Sequence, residues 1–130
     1  MRRISREWLD YARMDLDSAE FLLNMRPIPV EIICYHCHQS AEKALKGVLA
    51  EHDMEPPKTH DLTRLCTMCE GFVPAFSELS ETCLELAPFA SKLRYPDAPE
   101  VTVEMMNATL KGSHTVLDFV LSVLEEGTEA

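Results

Sequence analysis

The stretch PVEIICYHCHQSAEKALKGVLAEH, Pro29 to His52, is the longest uninterrupted helical pattern in the chain, and the other segments are organised around it. Pro29 opens it in a first turn, where a missing N–H costs nothing because that group has no intrahelical partner. At about 100° per residue, Val30, Ile33, Cys34, Cys37, Ala41, Ala44, Leu45 and Val48 share one broad arc. His36, Gln39, Lys43 and Lys46 form a narrow polar stripe opposite, with Ile32 and Tyr35 beside it. A purely solvated face would not carry both of those apolar residues. This face is therefore expected to meet another helix or another subunit.

Working outward, Ser5 to Asn24 reads as a first helix, with Ser5 as N-cap and Trp8, Ala12, Asp15/Leu16, Ala19, Leu22 and Leu23 on one face. The two prolines of RPIP, Arg26 to Pro29, end it. Downstream, Pro56-Pro57 marks a loop, Thr59 is placed to cap a short helix from His60 to Glu70, and Gly71 closes that helix. From Pro74 a fourth helix carries Phe76, Leu79, Cys83, Leu86, Ala90 and Leu93 at alternating three- and four-residue spacing, with a kink expected at Pro88. Asp97 and Glu100 have the spacing of a capping box for the last helix, which bears Val103, Met106, Leu110, Leu117, Val120 and Leu124. Gly112 within it allows a close helix crossing. The expected fold is a single all-α domain over residues 1–130: an up-and-down bundle of four main helices plus one short one.

Composition agrees. Of 130 residues 46% are hydrophobic and only 4 are glycine, which suits a packed helical core. The formal net charge of -10 makes non-specific binding to nucleic acid unfavourable, so no DNA partner is expected. The 5 cysteines, an odd number, do not read as a disulfide framework. The Met-Arg-Arg start is like the head of a signal peptide, but Glu7, Asp10 and Arg13 interrupt any apolar stretch after it. No apolar run approaches the roughly 20 residues that cross a bilayer. A soluble cytoplasmic protein with no membrane partner is expected.

The residues with chemical potential are few. Cys34-x-x-Cys37 and Cys66-x-x-Cys69 have zinc-like spacing, but both pairs fall inside helical patterns and read as small core residues. No metal and no cofactor is expected. His36, Gln39, Lys43 and Lys46 read either as an ordinary solvated face, with Glu42 and Lys46 as an i, i+4 pair, or as a face that binds phosphate. His60 is the less structural member of THDL, since a cation is disfavoured at a helix N-terminus. Arg94 reads as a salt bridge to the first helix, for instance to Asp15, or as a bidentate phosphate ligand. Asp97 reads as a cap.

Four words in order, DLDSAEFLL (Asp15 to Leu23), CHQSAEKALKGVL (Cys37 to Leu49), PPKTHDLTRL (Pro56 to Leu65) and LAPFASKLRYPD (Leu86 to Asp97), resemble the HEPN domain family. The resemblance implies a helical bundle that commonly pairs as a homodimer, with residues of the second helix and of the RYPD region near a shared cleft. Some members are metal-independent ribonucleases with an Arg followed, after four to six intervening residues, by a His. Here Arg94 is followed at those distances by Pro99, Glu100 and Val101, and no other Arg has the pattern. Others are similar to the substrate-binding partners of minimal nucleotidyltransferases. The sequence therefore points to a non-catalytic homodimer that binds a nucleotide or other substrate beside such an enzyme, in a toxin–antitoxin-like pair. His36, Gln39, Glu42, Lys43, Lys46, His60, Arg94 and Asp97 are the candidate binding residues. The alternative is a ribonuclease toxin acting on RNA with a displaced His36 or His60.

Overall fold

The computed structural model describes residues 1–91 and 96–129, and every regular element among them is helical. Helices α1 (Arg3–Leu22), α2 (Val30–Glu51), α3 (Leu62–Glu70), α4 (Ser80–Leu86) and α5 (Val103–Glu129) form an all-α bundle. Short 3-10 turns, Pro74–Leu79 and Ala87–Phe89, flank α4. The fourth member of the bundle is thus a composite: Pro88 ends regular α-helix where a kink was expected. Phe76, Leu79, Cys83 and Leu86 are all buried along it.

α2 lies at the centre. From Ala41 to Ala50 every residue except Lys43 is buried, because α1 covers the side on which the sequence places its polar stripe. The two helices run antiparallel. Glu51 meets Ser5, Gly47 meets Trp8, Lys43 meets Asp15, and the Ser40 hydroxyl donates to the Ala12 carbonyl at 2.7 Å. Gly47 sets their approach: a Cβ there would stand 3.3 Å from Trp8 Cβ and 3.5 Å from the Ser5 carbonyl oxygen. Across the bundle, the Ser113 hydroxyl of α5 donates to the Cys37 carbonyl at 2.8 Å. Gly112 crosses α4 closely, with a Cβ position 3.3 Å from Thr82 Cγ2.

Three predicted caps move, each for a local reason. α1 starts at Arg3 rather than after Ser5, and Ser5 is buried, donating to Glu51 Oε1 at 3.0 Å. The Arg2 N–H donates to the same oxygen at 2.7 Å, so a tertiary contact holds the helix end. Burial pushes the Glu51 carboxyl up, but these two hydrogen bonds, together with the charges of the chain N-terminus and His52, hold the group below the usual carboxylate range. Asp61, not Thr59, caps α3: Oδ1 accepts from Thr63 N at 3.1 Å and Arg64 N at 3.2 Å, while Thr59 Oγ1 accepts from Asp61 N. At α5, Thr102 Oγ1 accepts from Met105 N at 3.1 Å. The Asp97–Glu100 pair lies too early, because Val101 is buried and anchors the chain before the helix begins.

All five cysteines are buried, and none is in a disulfide. Cys69 Sγ donates to the Leu45 carbonyl and Cys66 Sγ to that of Phe76. Burial is the main force that pushes the Cys37 and Cys69 thiols up to about 12. Among the described residues, no three His, Cys, Asp or Glu side chains converge as metal ligands. None of the described helices is long and apolar enough to cross a membrane.

Candidate functional site

The stripe predicted on α2 is a seam of two ion clusters. Asp15 sits at the margin of the buried face of α1 and reaches across to α2. Its Oδ1 accepts from His36 Nδ1 at 3.0 Å, and its Oδ2 accepts from the Lys43 ammonium. The ammonium also stands 5.9 Å from the centre of the Tyr11 ring, and Tyr35 packs edge-on against His36.

The second cluster is deeper. Glu42 and Lys46, one turn apart on α2, pair at 3.1 Å with side chains only 4% and 8% exposed. His60, from the segment before α3, donates from Nδ1 to Glu42 Oε1 at 2.7 Å and is itself 67% exposed. Lys46 Nζ lies 5.8 Å from the Trp8 ring centre. Beside them His38 is fully buried, with Nδ1 3.3 Å from Gln39 Oε1 and Nε2 without a hydrogen-bond partner. Burial pushes the His38 imidazole down, against the opposing pull of Gln39, Glu42 and the main chain of His60.

Gln39 lies between the clusters by helical position. The fold thus brings His36, Gln39, Glu42, Lys43, Lys46 and His60 into one strip between α1 and the segment at 59–60. Arg94 lies outside the described residues. Asp97 is exposed in a turn, and among the described residues no hydrogen bond or ion pair joins it to the strip. The sequence reading did not place Asp15 against the stripe, nor His38, Trp8 or Tyr11 in its surroundings. A charged residue on the apolar face of α1 was the available signal for Asp15; His38 carried none, since it sits at the edge of an apolar arc.

Chemically the strip is balanced. With both imidazoles neutral, Asp15 and Glu42 cancel Lys43 and Lys46, and each imidazolium adds one positive charge. Lys43, His36 and His60 reach the surface; Lys46 does not.

Beside the strip, α1 turns an apolar side outward. Ile4, Tyr11, Met14 and Phe21 are exposed along it, with Met25 just beyond its end and Ile32 at the start of α2. Phe21 and His36 line one shallow depression, so this surface is continuous with the Asp15 cluster.

Comparison with known proteins bears on this arrangement. A family model described as HEPN domain matches residues 5–125. Among solved structures, the crystal structure of TT1696 from Thermus thermophilus is similar, with a TM-score of 0.80 and 26% identity over 94% of this chain and 98% of that one. The crystal structure of ST0689, described as an archaeal HEPN homologue, shares the fold, with a TM-score of 0.70 at 20% identity over 94% of this chain and 98% of that one. No curated protein matches the chain.

Proposed function

Because the chain belongs to the HEPN domain family, we propose that it is a non-catalytic, homodimeric nucleotide- or substrate-binding module. It works beside a minimal nucleotidyltransferase, in a toxin–antitoxin-like pair. The observation that carries this reading is the strip itself: two lysines and two histidines around Gln39, with each carboxylate shared between one lysine and one histidine. A phosphate takes the surface-reaching groups, Lys43, His36 and His60, with Gln39 orienting the rest of the ligand and Arg94 as the further cation this reading calls on.

Thermal-shift titration of the whole chain with ATP and GTP, alongside Lys43→Ala and Arg94→Ala, tests the reading. Stabilisation that both variants lose supports it. No stabilisation by either nucleotide, together with no binding to a minimal nucleotidyltransferase, refutes it.

The outward side of α1 supports the homodimer. Ile4, Tyr11, Met14, Phe21, Met25 and Ile32 are between 46% and 76% exposed. Together they present on the order of 700 Å² of apolar surface, close to the ~800 Å² that each partner of a standard interface buries. Sedimentation of Met14→Asp and Phe21→Asp checks this: both are expected to shift a dimer toward monomer.

One observation favours the ribonuclease alternative. An exposed His60 held by the buried Glu42 carboxylate is an oriented imidazole suited to proton transfer. Metal-free RNA cleavage that His60→Ala abolishes would select it; intact RNA at high protein concentration eliminates it.

A further inference from the structure

A cleft of about 530 Å³ opens between α4 and α5, in a part of the fold that contributes nothing to the strip. Its size falls within the roughly 300–1,000 Å³ of ordinary binding sites. Leu86, Phe89 and Val101, all buried, form its floor. Ala108 of α5, exposed and short, leaves it open on one side, while Gly112 lets α4 and α5 close together at its end. Among the described lining residues none is basic, while Glu85 of α4 and Glu100, just before α5, are both acidic and exposed.

Glu81 in the first turn of α4 and Glu78 just before that helix add acidic charge on this side, and Glu104 adds it in the first turn of α5. Met105, which lines the cleft, is 44% exposed and adds apolar surface at its mouth. A small apolar molecule would use the floor and leave the acidic edges unpaired. A polyanion or an anionic lipid surface would be repelled by these carboxylates.

We propose that this cleft seats a basic amphipathic segment of another protein. One or two large apolar side chains of the segment fill the floor, and flanking Lys or Arg side chains meet Glu85 and Glu100. Apolar anchoring sets the affinity, and the acidic edges select the partner by charge. This surface is separate from the nucleotide strip, so the proposal stands or falls without it.

The test uses the full chain and three fluorescent peptides of about 14 residues: a Leu/Lys amphipathic helix, its Leu/Glu counterpart and a shuffled Leu/Lys peptide. Fluorescence anisotropy is expected to show the Leu/Lys helix binding at least about tenfold more tightly than either control. Ala108→Trp fills the cleft from an exposed helical position and is expected to weaken binding by about tenfold or more. Glu85→Lys combined with Glu100→Lys, both exposed, carries the same expectation should Ala108→Trp not fold. Asp10→Lys on α1 is expected to change affinity less than about twofold. Absence of binding overturns the proposal. So does equal loss in Asp10→Lys, which would mean general attraction to an acidic chain. Undiminished binding by a folded Ala108→Trp also overturns it. Self-association of the chain that Ala108→Trp abolishes would give the cleft to a second copy and overturn it as well.

Discussion

The two ion clusters on α2 use the same three groups, a carboxylate shared by a lysine and a histidine, but they are built differently. In the first, the carboxylate comes from another helix: Asp15 of α1 ties His36 and Lys43 of α2, all between 13% and 27% exposed. In the second, Glu42 and Lys46 belong to one helix, both are nearly sealed, and only His60 reaches water. The outer cluster is a clasp between α1 and α2 whose cations remain partly available. The inner one holds a single accessible imidazole over a buried pair. Water access, not residue type, decides which charges can serve a ligand and which serve the fold.

The largest effect that would break this contrast is at Glu42. Glu42→Gln leaves Lys46 buried without its counter-charge, and urea denaturation is expected to show a loss of about 3 kcal/mol. Adding Lys46→Met should recover most of it; no recovery would mean that Glu42 stabilises by other contacts. Asp15→Asn frees two partly hydrated cations and is expected to cost about 1 kcal/mol. Equal losses at the two sites would erase the distinction.

His38 sharpens the comparison through pH. Burial holds its folded-state value below that of the unfolded chain. Between the two values only the unfolded chain takes up the proton, so stability falls as pH drops through ~6.5, by at most about 1.4 kcal/mol per pH unit. Urea melts at about pH 7.5 and about pH 5.5 should show a steeper loss for the native chain than for His38→Gln. Matching losses would refute the assignment. The smallest effect is at the rim: His60→Ala is expected to cost about 0.5 kcal/mol or less, because its side chain is largely hydrated.

The helices and their order were legible because they rest on periodic apolar patterns. Ile33, Cys37, Leu45 and Val48 are fully buried, as the arc on α2 requires. The opposite stripe was legible as a group but not as an environment. Helical spacing places His36, Lys43 and Lys46 side by side, yet it cannot say that α1 lies over them or that Asp15 meets them. Helix ends were the least legible: Ser5, Thr59 and Asp97 all have capping chemistry, and Arg2 with Glu51, Asp61 and Thr102 prevail through contacts set by packing and the local backbone. Ile32 illustrates the limit. The sequence expects it to meet something, and within one chain it is still 46% exposed.

The buried sulfurs have a practical consequence. A thiol near 12, as at Cys37 and Cys69, is almost wholly protonated at neutral pH, and the thiolate is the reactive form. All five thiols are buried, so an alkylating reagent must wait for the chain to open. With Cys34 and Cys37 on α2, Cys66 and Cys69 on α3 and Cys83 on α4, the order in which mass is added reports which helices part first. The chain carries its own stopwatch for native-state opening, read without any introduced probe.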